Sequence, residues 1–131
     1  MMIFLDTDIL SYFLAGNVII RDKIFEAMKN DSICLTSINV YEILKGFKYR
    51  GNISIEQYFN DFLENIIVFS LDDNSIQKAA GIYADLRKRG ITIGDADILI
   101  ASIIIVNDGL FVTNNIKHYH NINGLIVENW K

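Results

Sequence analysis

The stretch "MIFLDTDIL", residues 2 to 10, runs four apolar side chains straight into Asp6, Thr7 and Asp8. A short, continuous apolar run of this kind reads as a strand buried on both faces. Two carboxylates then stand two residues apart at its carboxyl end. Charge in that position calls for a cation, a helix cap or both.

Four further short runs rich in β-branched or aromatic residues fit strands: "ICLT" (33 to 36), "IIVFS" (66 to 70), "LFVT" (110 to 113) and "LIVE" (125 to 128). Helical patterns separate them. Asp8 or Thr7 can cap a short helix through Leu14; residues 18 to 30 carry the 3.6 period; and Ser37 or Thr36 can cap a helix over 38 to 49. Residues 54 to 65 and 73 to 90 continue the pattern, the latter closed by basic residues and Gly90, and a last helix over 96 to 108 ends at Gly109. Apolar strands alternating with helices predict a three-layer α/β/α fold with a mostly parallel central sheet. In such sheets ligands sit beyond the carboxyl ends of the strands, which is where Asp6 lies.

The chain has 131 residues, 51% of them hydrophobic and 21% charged, which suits one domain over 1 to 131 and excludes disorder. No apolar run approaches the roughly 18 residues of a membrane span; "ILIASIIIV" (98 to 106) reads as a buried helix. The start of the chain lacks the basic and apolar regions of an export signal, and the lone Cys34, in "SICLT", suits core packing in a reducing compartment; both point to the cytoplasm. With a net charge of −4 there is no global basic field, so any contact with nucleic acid must be local.

Asp6 follows the first strand, Glu42 lies in the helix after the second, and Asp95 and Asp97 open the long apolar helix. Thr113, Asn114 and Asn115 end the fourth strand. If those strands are neighbours, all of these residues share one rim. Each acid also has a plainer reading: Asp8 and Asp95 as helix caps, Glu42 in a salt bridge to Lys45 or Lys48. Asp97 is harder to dismiss, because a carboxylate in a buried helix is costly unless hydrogen bonds, the helix dipole or a cation compensates it. Three or four carboxylates without thiolates specify a hard cation, Mg²⁺ or Mn²⁺, and such sites act on phosphate esters through an activated water.

Two phosphoryl-transfer families compete for these motifs. The D-x-D opening resembles aspartate-nucleophile phosphatases of the haloacid dehalogenase type, but their acidic fourth motif follows a core strand, whereas "GDAD" (94 to 97) precedes the long apolar run, and Glu42 is left without a role. The segments "MIFLDTDILSYFLAG", "LTSINVYEILKG", "IGDADILIAS", "FVTNN" with "KHY", and "GLIVENW", in this order and spacing, resemble PIN-domain ribonucleases of the VapC toxin type over nearly the whole chain. That resemblance implies a PIN-like fold and RNA cleavage dependent on Mg²⁺ or Mn²⁺. It carries Asp6, Glu42 and Asp97 over as the metal-binding, catalytic acids, and it implies a cognate small antitoxin and a toxin homodimer. The position of the fourth acid is Asn115, a neutral amide that offers an oxygen without a charge, and Asp95 is a candidate to replace it. Loss of metal through Asn115 would leave instead a domain that binds without cutting.

Thr113 and Asn114 are expected to orient substrate or water by hydrogen bonds, or else to form a polar turn. His118 and His120 can touch RNA, tune the site or lie solvated. "RKRG" (87 to 90) reads equally as a phosphate contact and as a basic helix end, and Lys45, Lys48 and Arg50, with Phe47 and Tyr49 interleaved, form a second possible phosphate track. An antitoxin is expected in an apolar groove among the early helices, near Tyr12, Phe13, Phe47 and Tyr58.

Overall fold

The computed structural model describes residues 1–131. Five strands, β1 (Met2–Leu5), β2 (Ser32–Thr36), β3 (Ile67–Phe69), β4 (Leu110–Val112) and β5 (Ile126–Glu128), alternate with seven helices. Helices α1 (Thr7–Leu14) and α2 (Val18–Ala27) follow β1; α3 (Ser37–Arg50) and α4 (Ile53–Leu63) follow β2; α5 (Asp73–Lys88) and α6 (Asp95–Val106) follow β3; and the single turn α7 (Ile116–Tyr119) follows β4. The sheet order is β3-β2-β1-β4-β5 and every pairing is parallel. The expected α/β architecture is therefore present, with a sheet that is wholly rather than mostly parallel.

The three layers follow from the two-residue period of the strands. Ile3 and Leu5 of β1 enter one buried cluster with Ile9, Phe13, Ile24, Ile43 and Phe59 from α1 to α4. Phe4 between them enters the other, with Ile82 and Leu86 of α5 and Ile100, Ile103 and Ile104 of α6. Cys34 is fully buried in the second cluster, as its apolar setting suggests, and burial pushes its thiol up to about 11. No helix is long and apolar enough to cross a membrane.

Local chemistry sets the helix ends. The Thr36 hydroxyl accepts from Asn39 N–H to start α3, and Gly51 ends it at φ 69°, a left-handed backbone that favours glycine. Asp72 and Ser75 form a reciprocal capping box on α5. Two expected caps are corrected. Asp6, not Asp8 or Thr7, is the N-cap of α1, and Gly94 precedes α6 without a side-chain cap, leaving Asp95 as a helical residue. No strand stands immediately before "GDAD", since α5 and not a strand is the preceding element, which removes the context the phosphatase resemblance needs.

β1 lies at the centre, with β2 hydrogen-bonded on one side and β4 on the other. The connections leave the sheet in opposite directions there, and this topological switch point opens a crevice beyond the strand ends. Asp6 stands in it.

Candidate active site

Asp6 is 8% exposed, and both of its oxygens are held by the surrounding elements. Oδ1 accepts from Thr7 N–H at 2.8 Å and from Asn39 Nδ2 at 3.4 Å; Oδ2 accepts from the Thr113 hydroxyl at 2.7 Å. Burial nevertheless raises its carboxyl to about 6, with the charges of Asp8 and Asp97 adding to the rise against the bonds from Thr113 and Thr7. A buried anion with like charges nearby is short of positive charge.

Glu42 reaches the same rim from α3, where its Oε1 accepts from the Thr7 hydroxyl at 2.9 Å. Asn39, one turn earlier on the helix, donates to that hydroxyl at 3.0 Å and is itself fixed by Thr36, whose hydroxyl donates to Asn39 Oδ1 at 2.6 Å. A relay through Thr36, Asn39 and Thr7 thus sets both acids. The alternative ion pair of Glu42 is not formed, since Lys48 pairs with Glu56 on α4.

Asp97 comes from the first turn of α6. Its Oδ1 accepts from the Tyr119 hydroxyl at 2.9 Å, and its Oδ2 lies 2.8 Å from His118 Nε2. The Tyr119 ring packs edge-on to Phe111 at 4.8 Å, so that its hydroxyl is presented to Asp97 from the core. Its phenol is held well above the ordinary range, first by burial, then by the charges of Asp6 and Asp97, the bond to Asp97 and the charge of Glu42. One phenol therefore feels all three carboxylates.

The remaining expected positions separate. Asp95 lies about 200° around α6 from Asp97, at 100° per residue, and lines a groove with Tyr83 and Arg87 on the α5 side; it does not join the acids. Asp8 bridges instead of capping: Oδ1 accepts from Ile9 N–H at 2.6 Å and Oδ2 from Asn114 N–H at 3.0 Å, tying α1 to the loop after β4. Burial raises its carboxyl. Thr113 is fully buried, so its hydroxyl positions Asp6 and does not reach substrate. The Asn114 side chain is exposed and accepts from Asn129 at 3.2 Å. Asn115 is exposed at the start of α7, its N–H donated to the Thr113 hydroxyl at 3.0 Å.

Asn39, Thr7 and Tyr119 are site residues that the sequence reading missed. Asn39 had a signal: it precedes Glu42 by three, which puts both on one helix face. His118 is bound to Asp97 and half-buried rather than solvated, whereas His120 is exposed with its Nδ1 against the Lys117 carbonyl. In "RKRG", Arg89 bonds Asp85 and the Asn121 carbonyl, and Arg87 bonds the Tyr83 hydroxyl, which favours the helix-end reading.

Asp6, Glu42 and Asp97 form no ion pair with lysine or arginine. Their donors are all oxygen, which fits a hard divalent cation. No three of the chain's acidic, histidine or cysteine side chains stand close enough to close around one ion, so an ion held here takes part of its coordination from water or phosphate oxygens. The arrangement can concentrate a cation and a polarised water at an open rim.

Comparison with known proteins gives concordant results. The family model for the PIN domain matches residues 3–122. The chain is 31% identical over 103 residues to ribonuclease VapC2 of Rickettsia felis, covering 78% of this chain and 77% of that one. It is 25% identical over 107 residues to the tRNA(fMet)-specific endonuclease VapC of Salmonella typhimurium, covering 79% of each. Among solved structures, VapBC2 from Rickettsia felis, bound to a DNA fragment from its promoter, superposes with a TM-score of 0.94 at 27% identity over 100% of both chains.

Proposed function

Since the chain belongs to the PIN-domain family and, within it, to the VapC ribonucleases, we propose that it is a metal-dependent endoribonuclease, the toxin of a toxin–antitoxin pair. The observation that carries the metal-dependent reading is the placement of Asp6, Glu42 and Asp97 along one rim at the switch point, Asp6 and Glu42 tied through Thr7 and Asn39, with no lysine or arginine paired to any of the three. Asp6, Glu42 and Asp97 would hold Mg²⁺ or Mn²⁺ together with water or phosphate oxygens, and the ion would supply an activated water and charge neutralisation at the scissile phosphate. The chain's own residues prepare that event. Thr113 and Thr7 hold Asp6, the Thr7 hydroxyl orients Glu42, and Tyr119 and His118 fix both oxygens of Asp97. Asn115 leaves the rim one charge poorer, favouring a single ion over two.

The deciding experiment incubates antitoxin-free protein with total RNA in Mg²⁺ or Mn²⁺, with and without EDTA. Discrete fragments that disappear with EDTA are expected; fragments that persist in EDTA, or intact RNA with folded protein in both metals, would sink the reading. A narrower test is Thr113→Val, which removes the hydroxyl between Asp6 and Asn115. By the usual cost of losing a bond that orients a metal ligand, Mn²⁺ affinity should fall roughly tenfold in calorimetry. Unchanged affinity would argue against Asp6 as a ligand.

The antitoxin is assigned to the groove between α1 and α3, lined by Leu14, Ala15, Ile43, Phe47 and Ile55, with Glu42 and Arg50 on its walls. Of the aromatics expected there, only Phe47 contributes: Phe13 is core, Tyr58 packs on Phe13, and Tyr12 lies under the Lys131 ammonium at 3.9 Å. The solved VapBC2 complex supports such a partner. Ile76 and Tyr83, 51% and 45% exposed and seven residues apart on α5, support a homodimer through that face. A monomer mass in sedimentation at high micromolar concentration would argue against it. The buried, unpaired Cys34 suits action in the cytoplasm.

A further inference from the structure

The outer face of α3 has a composition that packing does not explain. Tyr41 is 63% exposed and Tyr49 is 93% exposed, the latter the most open large apolar side chain of the protein. Lys45 lies between them, its ammonium 5.1 Å from the centre of the Tyr41 ring, and makes no ion pair. Residues 41, 45 and 49 recur every fourth position and so form one stripe, about 12 Å long at 1.5 Å per residue. The 14 residues of α3 carry Lys45, Lys48 and Arg50 against the single acid Glu42, in a chain whose net charge is −4. This is a local reversal of the protein's field.

Resting on the ribonuclease reading above, we infer that this Tyr41, Lys45 and Tyr49 stripe is the track on which single-stranded RNA lies as it leaves the acidic centre. Three observations converge on that occupant. Tyr41 is the chain neighbour of Glu42, so the stripe begins beside the carboxylates, turned about 100° from them around the helix. Exposed tyrosines alternating with an unpaired cation match the two needs of an unpaired strand, stacking for bases and charge for phosphates. The face also carries Lys45 at its centre, where a protein interface is depleted of lysine, and the aliphatic side chains of α3 turn to the core or to the groove with α1. Lys48 is held by Glu56 at 2.9 Å, which leaves Lys45 as the cation free to meet a phosphate along the stripe.

Fluorescence anisotropy with a fluorescein-labelled, mixed-sequence single-stranded RNA 12-mer, in EDTA so that nothing is cut, tests this. Tyr41→Ala and Tyr49→Ala should each weaken binding at least about fivefold, as for loss of one stacked base, and Tyr41→Phe should restore it. Lys45→Ala should lower the slope of log Kd against log salt by about 0.7, one phosphate contact on a single strand. Lys78→Ala, on α5, should do neither. The track is overturned if the tyrosine variants bind within twofold of the native chain, if Tyr41→Phe is as weak as Tyr41→Ala, or if the native chain binds no RNA. Should the native chain still cut total RNA in Mg²⁺ with these variants silent, the track fails and the nuclease reading stands; a native chain that neither binds nor cuts ends both.

Discussion

Asp6→Asn protein should cleave RNA at least about 100-fold more slowly than the native chain, more than is lost when only a bond supporting a metal ligand goes, and yet unfold at a higher temperature near pH 7.5 when free of metal. The two effects have one source. Asp6 is 8% exposed and its carboxyl is raised from 3.8 to about 6, chiefly by burial and then by Asp8 and Asp97. A carboxyl that ionises less readily folded than unfolded costs the fold its charge: the contribution of Asp6 to stability is fully present below about pH 4 and is lost as pH rises through about 6. Native protein binds more protons than unfolded protein in that window, so stability falls with rising pH. The shift corresponds to about 3 kcal/mol. Asparagine keeps the shape and, with its oxygen toward Thr7 N–H and Asn39, turns its NH2 to the Thr113 hydroxyl, which can accept; the charge is gone, so thermal unfolding of the variant should be flatter between pH 4 and 7. Adding Mn²⁺ should then raise the melting temperature of the native chain and barely move that of the variant. Native-like cleavage by Asp6→Asn would remove Asp6 from the proposed ligands; a parallel pH profile would remove the account of its burial.

The second large effect concerns a residue remote from the chemistry. Gly109 joins α6 to β4, and a methyl group added there would sit 2.5 Å from Cδ1 and Cε1 of Phe4 and 3.2 Å from Cγ2 of Ile104. Phe4 cannot yield, being fully buried in the central strand and packed on Phe69 at 5.4 Å. Gly109→Ala should therefore cost roughly 3 kcal/mol, the upper part of the usual range for overfilling a core, and lower the melting temperature by on the order of 10 °C. The glycine serves close approach, not backbone freedom, so Gly109→Ala combined with Phe4→Leu should recover part of the loss. No recovery in the double variant would mean that the clash is not with Phe4.

The strands and most helices were legible because each depends on a local signal. "MIFL" is apolar throughout, Thr36 precedes a helical period, and Gly51 stops it. Asp6, Glu42 and Asp97 were legible as acids in places where burial makes charge expensive. What sequence could not give was partnership across the sheet. The bond from Thr113 to Asp6 spans 107 positions, and that from Asp8 to Asn114 N–H spans 106. No period or cap announces such pairs, which is why Thr113 was assigned to substrate and Asp8 to a helix start. Asp95 was misplaced for a simpler reason, since two residues apart is near in sequence and opposite on a helix. The four-residue α7 was missed because one turn carries no period, and with it went the Tyr119 and His118 contacts to Asp97.

The chain order of these contacts has a bearing on synthesis. Thr113, the residue that holds Asp6, takes its own place by donating its N–H to the carbonyl of Glu128 at 2.9 Å, at the far edge strand. A nascent chain on the ribosome thus carries Asp6, Glu42 and Asp97 long before it carries the strand that steadies the first of them. The proposed ligand set therefore takes its final geometry only when β5, the last of the five strands to be made, has paired with β4.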